Sequence, residues 1–227
     1  MAIIDVSFII PVYNRPEEIN ELLSSFNNLD GNYDFEIVII EDGSVNCSDK
    51  IISNYSNDLN ISYYTKKNTG PGHSRNFGMK RAKGNYFIIL DSDCILPNNY
   101  LLNFFTNINN KYVDCFGGVD DSHYSFTNFQ KAVNFTMTSL ITTAGVRGGR
   151  SKYKNFQARS FNMGISKKTF ELTGGFGNIH PGEDPDLSLR ISKLNLNSEL
   201  YNNVKVYHKR RVNIIAFFNQ VFKFGMV

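Results

Sequence analysis

Two aspartates, Asp91 and Asp93, stand one residue apart at the end of the apolar run Ile88-Ile89-Leu90. A strand alternates its side chains with a period of two, so both carboxylates leave its end on the same side. Two anionic groups set that close repel each other, and a divalent cation relieves the repulsion. Such a site suits a metal-bound diphosphate. A second acidic pair, Glu183-Asp184, opens a helical pattern that ends near Lys193. Carboxylates in that place either complement the helix dipole or take a proton from a reacting hydroxyl. Late in the chain, His208-Lys209-Arg210-Arg211 closes the strand-like stretch Val204–Tyr207. An imidazole there can ligate a metal and the cations can hold a diphosphate; a charged strand end is the structural alternative.

These groups need elements to carry them. The first half alternates strand and helix. Val6–Val12, Phe35–Ile40, Ile61–Tyr64 and Tyr86–Leu90 read as buried strands. Between and after them, helical patterns follow Pro16 (Ile19, Leu22, Leu23 and Phe26 as the apolar stripe), run from Ser48 to Tyr55, from Ser74 to Ala82 and from Asn99 to Ile108. This order predicts an α/β fold with a mostly parallel, Rossmann-like sheet flanked by helices on both faces. The polar motifs all fall at the C-terminal ends of strands, where ligands bind in open α/β sheets. The second half is less regular. It predicts strands at Phe116–Val119, Ala158–Ser166 and Val204–Tyr207, and helices at Phe126–Leu140, Lys167–Thr173 and Leu187–Leu194. A basic, glycine-rich loop spans Arg147–Lys154.

Bulk properties narrow the class. A length of 227 residues with 41% hydrophobic content supports one sizeable domain. We divide it into a nucleotide-sugar-binding half (about 1–115), an acceptor-facing half (about 116–211) and an apolar C-terminal helix (212–227). A net charge of only +3 argues against a nucleic-acid-binding surface. Cys47, Cys94 and Cys115 form neither a metal spacing nor a disulfide framework, which fits a reducing cytoplasm. The N-terminus lacks the basic region and cleavage site of a signal peptide, and no run of 18 apolar residues is present.

Four strand-end signatures occur in order: Pro11-Val12-Tyr13-Asn14, Glu41-Asp42-Gly43-Ser44, Asp91-Ser92-Asp93 and Gly182-Glu183-Asp184-Pro185-Asp186. Each is weak alone, because Asp-Gly-Ser is also an ordinary turn. As an ordered set, covering roughly Val6 to Arg211, they resemble glycosyltransferase family 2, the inverting transferases with a GT-A fold. The one departure is Glu41, where the family usually has Asp.

The resemblance implies roles for particular residues. Pro11, Val12, Tyr13 and Asn14 contact the uridine part of a donor. Tyr13 offers a flat face and a hydroxyl for a base; its alternative is a lid on the core. Asp42 binds the base, where a turn residue before Gly43 is the structural alternative. Arg75, within Asn68-Thr69-Gly70-Pro71-Gly72-His73-Ser74-Arg75-Asn76, becomes a donor-site residue rather than part of a solvated helix face. Asp91 leans toward the ribose. Asp93 coordinates Mg²⁺ or Mn²⁺, and His208 joins it as a metal ligand. Asp184 is the base that deprotonates the acceptor, with Glu183 orienting it or touching the acceptor. Asn162, in Phe161-Asn162-Met163-Gly164, lies near the sugar and acceptor. Asp186 is structural, within i,i+4 reach of Arg190.

The resulting expectation is a metal-dependent inverting glycosyltransferase that moves a sugar from a nucleotide-sugar, a UDP-sugar, to a hydroxyl of a glycan or lipid-linked acceptor. Its setting would be cell-surface polysaccharide or glycolipid synthesis at the cytoplasmic face of the membrane. Ile214, Ile215, Phe217, Phe218, Val221, Phe222 and Phe224 suit an amphipathic helix that touches a membrane surface or packs on the domain. A nucleotidyltransferase is the competing enzyme, but it calls for a glycine- and basic-rich loop after the first strand, where Tyr13-Asn14-Arg15-Pro16 stands. A sugar-nucleotide-binding module without turnover is the non-enzyme alternative.

Overall fold

The computed structural model describes residues 4–139, 141, 157–179, 181–209 and 213–224. Eight strands form one sheet in the order β3-β2-β1-β4-β7-β6-β8-β5. They are β1 (Val6–Val12), β2 (Phe35–Asp42), β3 (Ile61–Lys66), β4 (Tyr86–Leu90), β5 (Cys94–Ile95), β6 (Cys115–Asp121), β7 (Asn162–Ser166) and β8 (Ser198–His208). The helices are α1 (Pro16–Asn27), α2 (Asp49–Ser53), α3 (Pro71–Met79), α4 (Tyr100–Asn110), α5 (Asn128–Thr138), α6 (Lys167–Thr173), α7 (Glu183–Lys193) and α8 (Ile214–Phe224).

Strands β1 to β4 are mutually parallel where they pair, as the alternation with helices predicts. Period-two alternation sorts their side chains between two cores. Phe8, Ile10, Ile37, Ile39, Ile88 and Leu90 pack with the apolar stripe of α1 and with α4. Ile9, Val38, Ile40, Phe87 and Ile89 pack with Met79 of α3, Phe170 of α6, and Leu187 and Ile191 of α7. Both faces are therefore buried, which explains why these strands read as continuous apolar runs. Pro16 supplies a fixed φ at the start of α1, and Glu17 and Glu18 meet the positive end of its dipole.

Strand β7 runs antiparallel to both β4 and β6 and joins the two halves into one sheet. At its centre Gly164 faces the Phe116 ring so closely that no Cβ fits. The two-residue strand β5 pairs antiparallel with β8, with Cys94 opposite His208. That register sets His208 beside Asp93.

Several boundaries differ from the sequence expectation. Pro71 at the first helical position starts α3 before Ser74. Residues 158–161 stay outside β7, which begins only at Asn162. Strand β8 starts at Ser198 because its exposed first half alternates around only a few buried residues. Strand β5 is too short to leave a periodic signal. The basic loop Arg147–Lys154 lies outside the described residues.

The packing at β7 gives a direct test. Gly164→Ala puts a methyl group into the Phe116 ring and within 2.8 Å of Tyr86. We expect a loss of about 1–3 kcal/mol of stability, the usual range for overpacking, read as a lower urea midpoint at unchanged slope.

Candidate active site

Asp93 follows β4 and is the hub of one cluster. His208 Nε2 lies 3.1 Å from Asp93 Oδ1, and Arg15 pairs with Asp93 Oδ2. Asp120, at the end of β6, lies 3.8 Å from His208 Nδ1. The backbone closes the same corner: Lys209 N donates to Asp93 O at 2.8 Å, while Lys209 Nζ grips Glu21 of α1 at 2.8 and 2.9 Å. Burial by itself raises the Asp93 carboxyl, but the charges and hydrogen bonds of His208 and Arg15 outweigh it and hold the group well below the usual carboxylate range.

The cluster can be tested for fit to a divalent cation. Ligand atoms of Asp93, Cys94 and His208 lie within 4.8 Å of one another. Cys94 is fully buried, its Sγ lies 3.5 Å from Phe161 O, and burial pushes its thiol far above the ordinary range. It is a protonated core side chain rather than a thiolate. The donor set is thus one carboxylate and one imidazole, which suits Mn²⁺ and leaves most positions for oxygens of water or substrate. Arg15 meets the same carboxylate, so a cation has to compete with it or share the oxygens.

Asp91 belongs to a second cluster. Arg75 of α3 donates from Nη2 to Asp91 Oδ1 at 2.8 Å and from Nη1 to Glu183 Oε1 at 3.1 Å. Its guanidinium also lies 5.1 Å from the Phe176 ring centre. Arg75 is only 4% exposed, whereas the Asp91 side chain keeps 30% of its surface open. Burial would lower the Arg75 pKa, but Asp91, Glu183 and Asp184 raise it by more, so the cation persists. Glu183 begins α7, and its second oxygen accepts from Gly182 N at 3.1 Å. Among the described residues Asp184 is held loosely: Ser160 N lies 3.4 Å and Arg159 Nη1 3.9 Å from its Oδ2. Further along α7, Asp186 pairs with Arg190 at 2.7 Å, and Arg190 also donates to Thr173 O and Gly175 O. Asp186 therefore has the structural role read from its spacing.

A third group lines the ends of β1 and β2. Asn14 takes φ of 53°, a region asparagine tolerates, and its Oδ1 accepts from Val45 N and Asn46 N. Ser44 Oγ bridges Asn14 N and Glu41. Gly43 has φ of 74°, and a Cβ there would lie 2.6 Å from Asn68 N, so this close approach requires glycine. Asp42 pairs with Lys66 and accepts from Thr69 N at 3.0 Å and Gly70 N at 2.9 Å. It shapes the loop that leads into α3. Tyr13 is 52% exposed at this rim.

The sequence-expected residues thus fall into unequal positions. Asp91, Asp93, His208, Arg75, Glu183 and Asp184 share the carboxyl edge of the sheet, with Pro11, Tyr13, Asn14 and Asp42 beside them. Three placements correct the expected contacts. Val12 is 1% exposed and belongs to the core, so neither its side chain nor its backbone is open to a ligand. Arg75 is enclosed by its two carboxylates. Asn162 is fully buried, accepting from Tyr100 Oη at 2.7 Å and donating to Val204 O at 3.0 Å. Its amide ties β7 to α4 and β8, because an unpaired amide in that core would be costly. His73 is exposed on α3. Arg210 and Arg211 lie outside the described residues. Sequence reasoning missed Arg15, Lys66 and Arg159. Each is a lone cation whose only signal would have been the carboxylate it meets across the fold.

One edge of this α/β sheet gathers two spaced aspartates, a histidine and a helix-borne acidic pair. The chain belongs to glycosyltransferase family 2: the profile described as "Glycosyl transferase family 2" matches residues 7–171. An uncharacterized glycosyltransferase of Rickettsia bellii is 41% identical over 97 residues, covering 42% of this chain and 14% of that protein. The chain therefore corresponds to a small part of that relative's length. The Staphylococcus aureus TarS 1–349 structure in complex with UDP-GlcNAc superposes with a TM-score of 0.70 at 21% identity, covering 92% of this chain and 60% of that one. The mannosyltransferase PcManGT of Pyrobaculum calidifontis, in complex with GDP-Man and Mn²⁺, gives 0.70 at 17%, covering 93% and 59%. At these identities the likeness establishes the fold, which is GT-A.

The Asp93 cluster makes a signed prediction for pH. A carboxyl whose folded pKa is depressed adds stability above its unfolded pKa, and that stability is lost as pH falls toward the folded value. Asp93→Asn should therefore be less stable than the wild type at pH 6, and the gap should narrow by pH 3. Urea denaturation at both values checks this; a gap that widens on acidification refutes it.

Proposed function

We propose that this chain is a metal-dependent inverting glycosyltransferase domain that moves a sugar from a UDP-sugar to a hydroxyl acceptor. One observation carries the reading: Asp91, which follows β4, and Glu183, the first of the acidic pair on α7, meet across a single buried arginine.

Tyr13 would stack on the base, with Pro11 and Asn14 forming the rim and Asp42 holding the loop beneath it. Asp91, partly open, would accept from a ribose hydroxyl. Asp93 and His208 would hold Mn²⁺ or Mg²⁺. A cation bound there acts as a Lewis acid on the departing diphosphate. Asp184 would take the acceptor's proton as the acceptor oxygen bonds to the anomeric carbon and the bond to the diphosphate oxygen breaks on the opposite face. The bonding pair leaves with the nucleoside diphosphate and the configuration inverts. Glu183 would set the position of Asp184. By this reading the nucleotide-sugar half is about 1–115 and the acceptor half about 116–211.

The acceptor would be a glycan or lipid-linked glycan in cell-surface polysaccharide or glycolipid assembly at the cytoplasmic face of a membrane. Helix α8 supports the membrane contact: Ile214, Ile215, Phe218 and Phe222 are exposed, and Phe218 stacks on Phe222 at 6.2 Å. Among the described residues no helix is long and apolar enough to cross a membrane.

Calorimetric titration of UDP with and without Mn²⁺ tests the donor site. We expect metal-dependent binding that Asp93→Ala and His208→Ala abolish and Cys94→Ala retains. UDP-GlcNAc, the ligand of the TarS complex, is the first donor to assay. Asp184→Asn should bind UDP normally and lose transfer by about a hundredfold or more, at the lower end of what positioned acid–base groups contribute. Transfer retained in that variant would remove Asp184 as the base.

A further inference from the structure

We propose that Arg75 is a positioning residue that locks the acceptor-side acidic pair to the donor-side strand, acting through Asp91 and Glu183 rather than by touching the nucleotide. The proposal rests on the transferase reading for its kinetic consequence, but its geometry stands apart from that reading.

Three elements meet at this side chain. Arg75 projects from the first turns of α3, Asp91 follows β4 and Glu183 begins α7. One Nη faces each carboxylate, at 2.8 and 3.1 Å, and the ring of Phe176 lies against the guanidinium. Only 4% of the residue meets solvent, so little of it remains for a ligand. Without the cation, Asp91 and Glu183 would be two like charges gathered at one place with nothing to hold them together. With it, their repulsion becomes a shared attraction.

The consequence reaches Asp184 through the backbone. Glu183 and Asp184 are neighbours in the first turn of α7, so the anchor that fixes one fixes the peptide that carries the other. The neighbouring residue on α3 reinforces the hold. Asn76 donates to Phe176 O and accepts from Phe176 N, both at 2.8 Å, and so clamps the segment that leads toward α7. Helix α3 therefore grips the approach to α7 with Asn76 and its first turn with Arg75. A lysine cannot substitute: its single ammonium lacks the planar fork that serves two carboxylates on separate elements.

The experiment uses Arg75→Lys, Arg75→Met, Glu183→Gln and the Arg75→Met/Glu183→Gln double variant. UDP affinity is measured by calorimetry with Mn²⁺, and turnover as UDP released from saturating UDP-GlcNAc. We expect UDP affinity to stay within about threefold of wild type for both Arg75 variants, while turnover falls by about a hundredfold, the scale of a misplaced reacting group. In the Glu183→Gln background, Arg75→Met should cost less than about threefold more, because the two residues act as one unit. Affinity weakened tenfold or more, with turnover at saturation preserved, would make Arg75 a nucleotide contact and overturn the proposal. Multiplicative losses in the double variant would overturn it as well. If the wild type binds no UDP and releases none, the donor reading fails by itself. Urea midpoints of the same variants then decide the lock: subadditive shifts support it and additive shifts overturn it. Arg75→Lys keeps the buried charge, so the comparison survives if Arg75→Met does not fold.

Discussion

Carboxylates crowd the carboxyl edge of this sheet, and the surrounding structure is arranged to hold them against cations. Asp42, Asp91, Asp93, Glu183 and Asp184 would repel one another if left in low dielectric without partners. Lys66 answers Asp42, Arg15 and His208 answer Asp93, and Arg75 answers Asp91 and Glu183 together. The cations come from the loop after β1, from β3, from α3 and from the end of β8. No two adjacent elements could supply them all. The acidic edge thus ties distant parts of the chain to one place.

The sheet makes that concentration possible. Parallel strands β1, β2, β3 and β4 deliver their ends to one side, with helices covering both faces. Strand β7 then reverses direction, so the chain returns to begin α7 near the Asp91 end of β4. The short pairing of β5 with β8 brings His208 in from the far end of the chain. Asn162 and Gly164 belong to this framework. One ties β7 to α4 and β8 through its amide, and the other lets β7 pass over the Phe116 ring.

Much of this was legible in the sequence, for a physical reason. Strands buried on both faces are apolar without interruption, so β1, β2 and β4 announced themselves, and the polar residues that ended them marked the site. The helix periodicity of α1 and the i,i+4 pair of Asp186 and Arg190 were equally local. Contacts between distant residues were not legible. Nothing near Asn162 signals that Tyr100 and Val204 will claim its amide. Nothing near Arg75 says that its partners lie 16 and 108 positions away. Glu41 shows the same limit. It stands where the family usually has Asp, and its longer arm spans Ser44, Ser48 N at 2.9 Å and Tyr63 Oη at 3.0 Å, so the departure becomes a brace for the loop around Gly43.

The uneven grip on these carboxylates separates their tasks. Asp93 and Glu183 are buried against charged partners at short range, and a group held that way stays in place. Asp184 is different. Among the described residues its nearest donors are a backbone amide at 3.4 Å and a guanidinium at 3.9 Å, both longer than a strong charge-assisted bond. In the proposed role of base, Asp184 would have to give up its existing partners when a proton arrives, and tight ion pairs would make that expensive. The anchoring falls on Glu183, one residue earlier on the same helix turn, so Asp184 can be fixed in place without being neutralised. The acidic pair is split in this way, one carboxylate held by the arginine and the other on longer contacts, and the proposed transfer would use that difference.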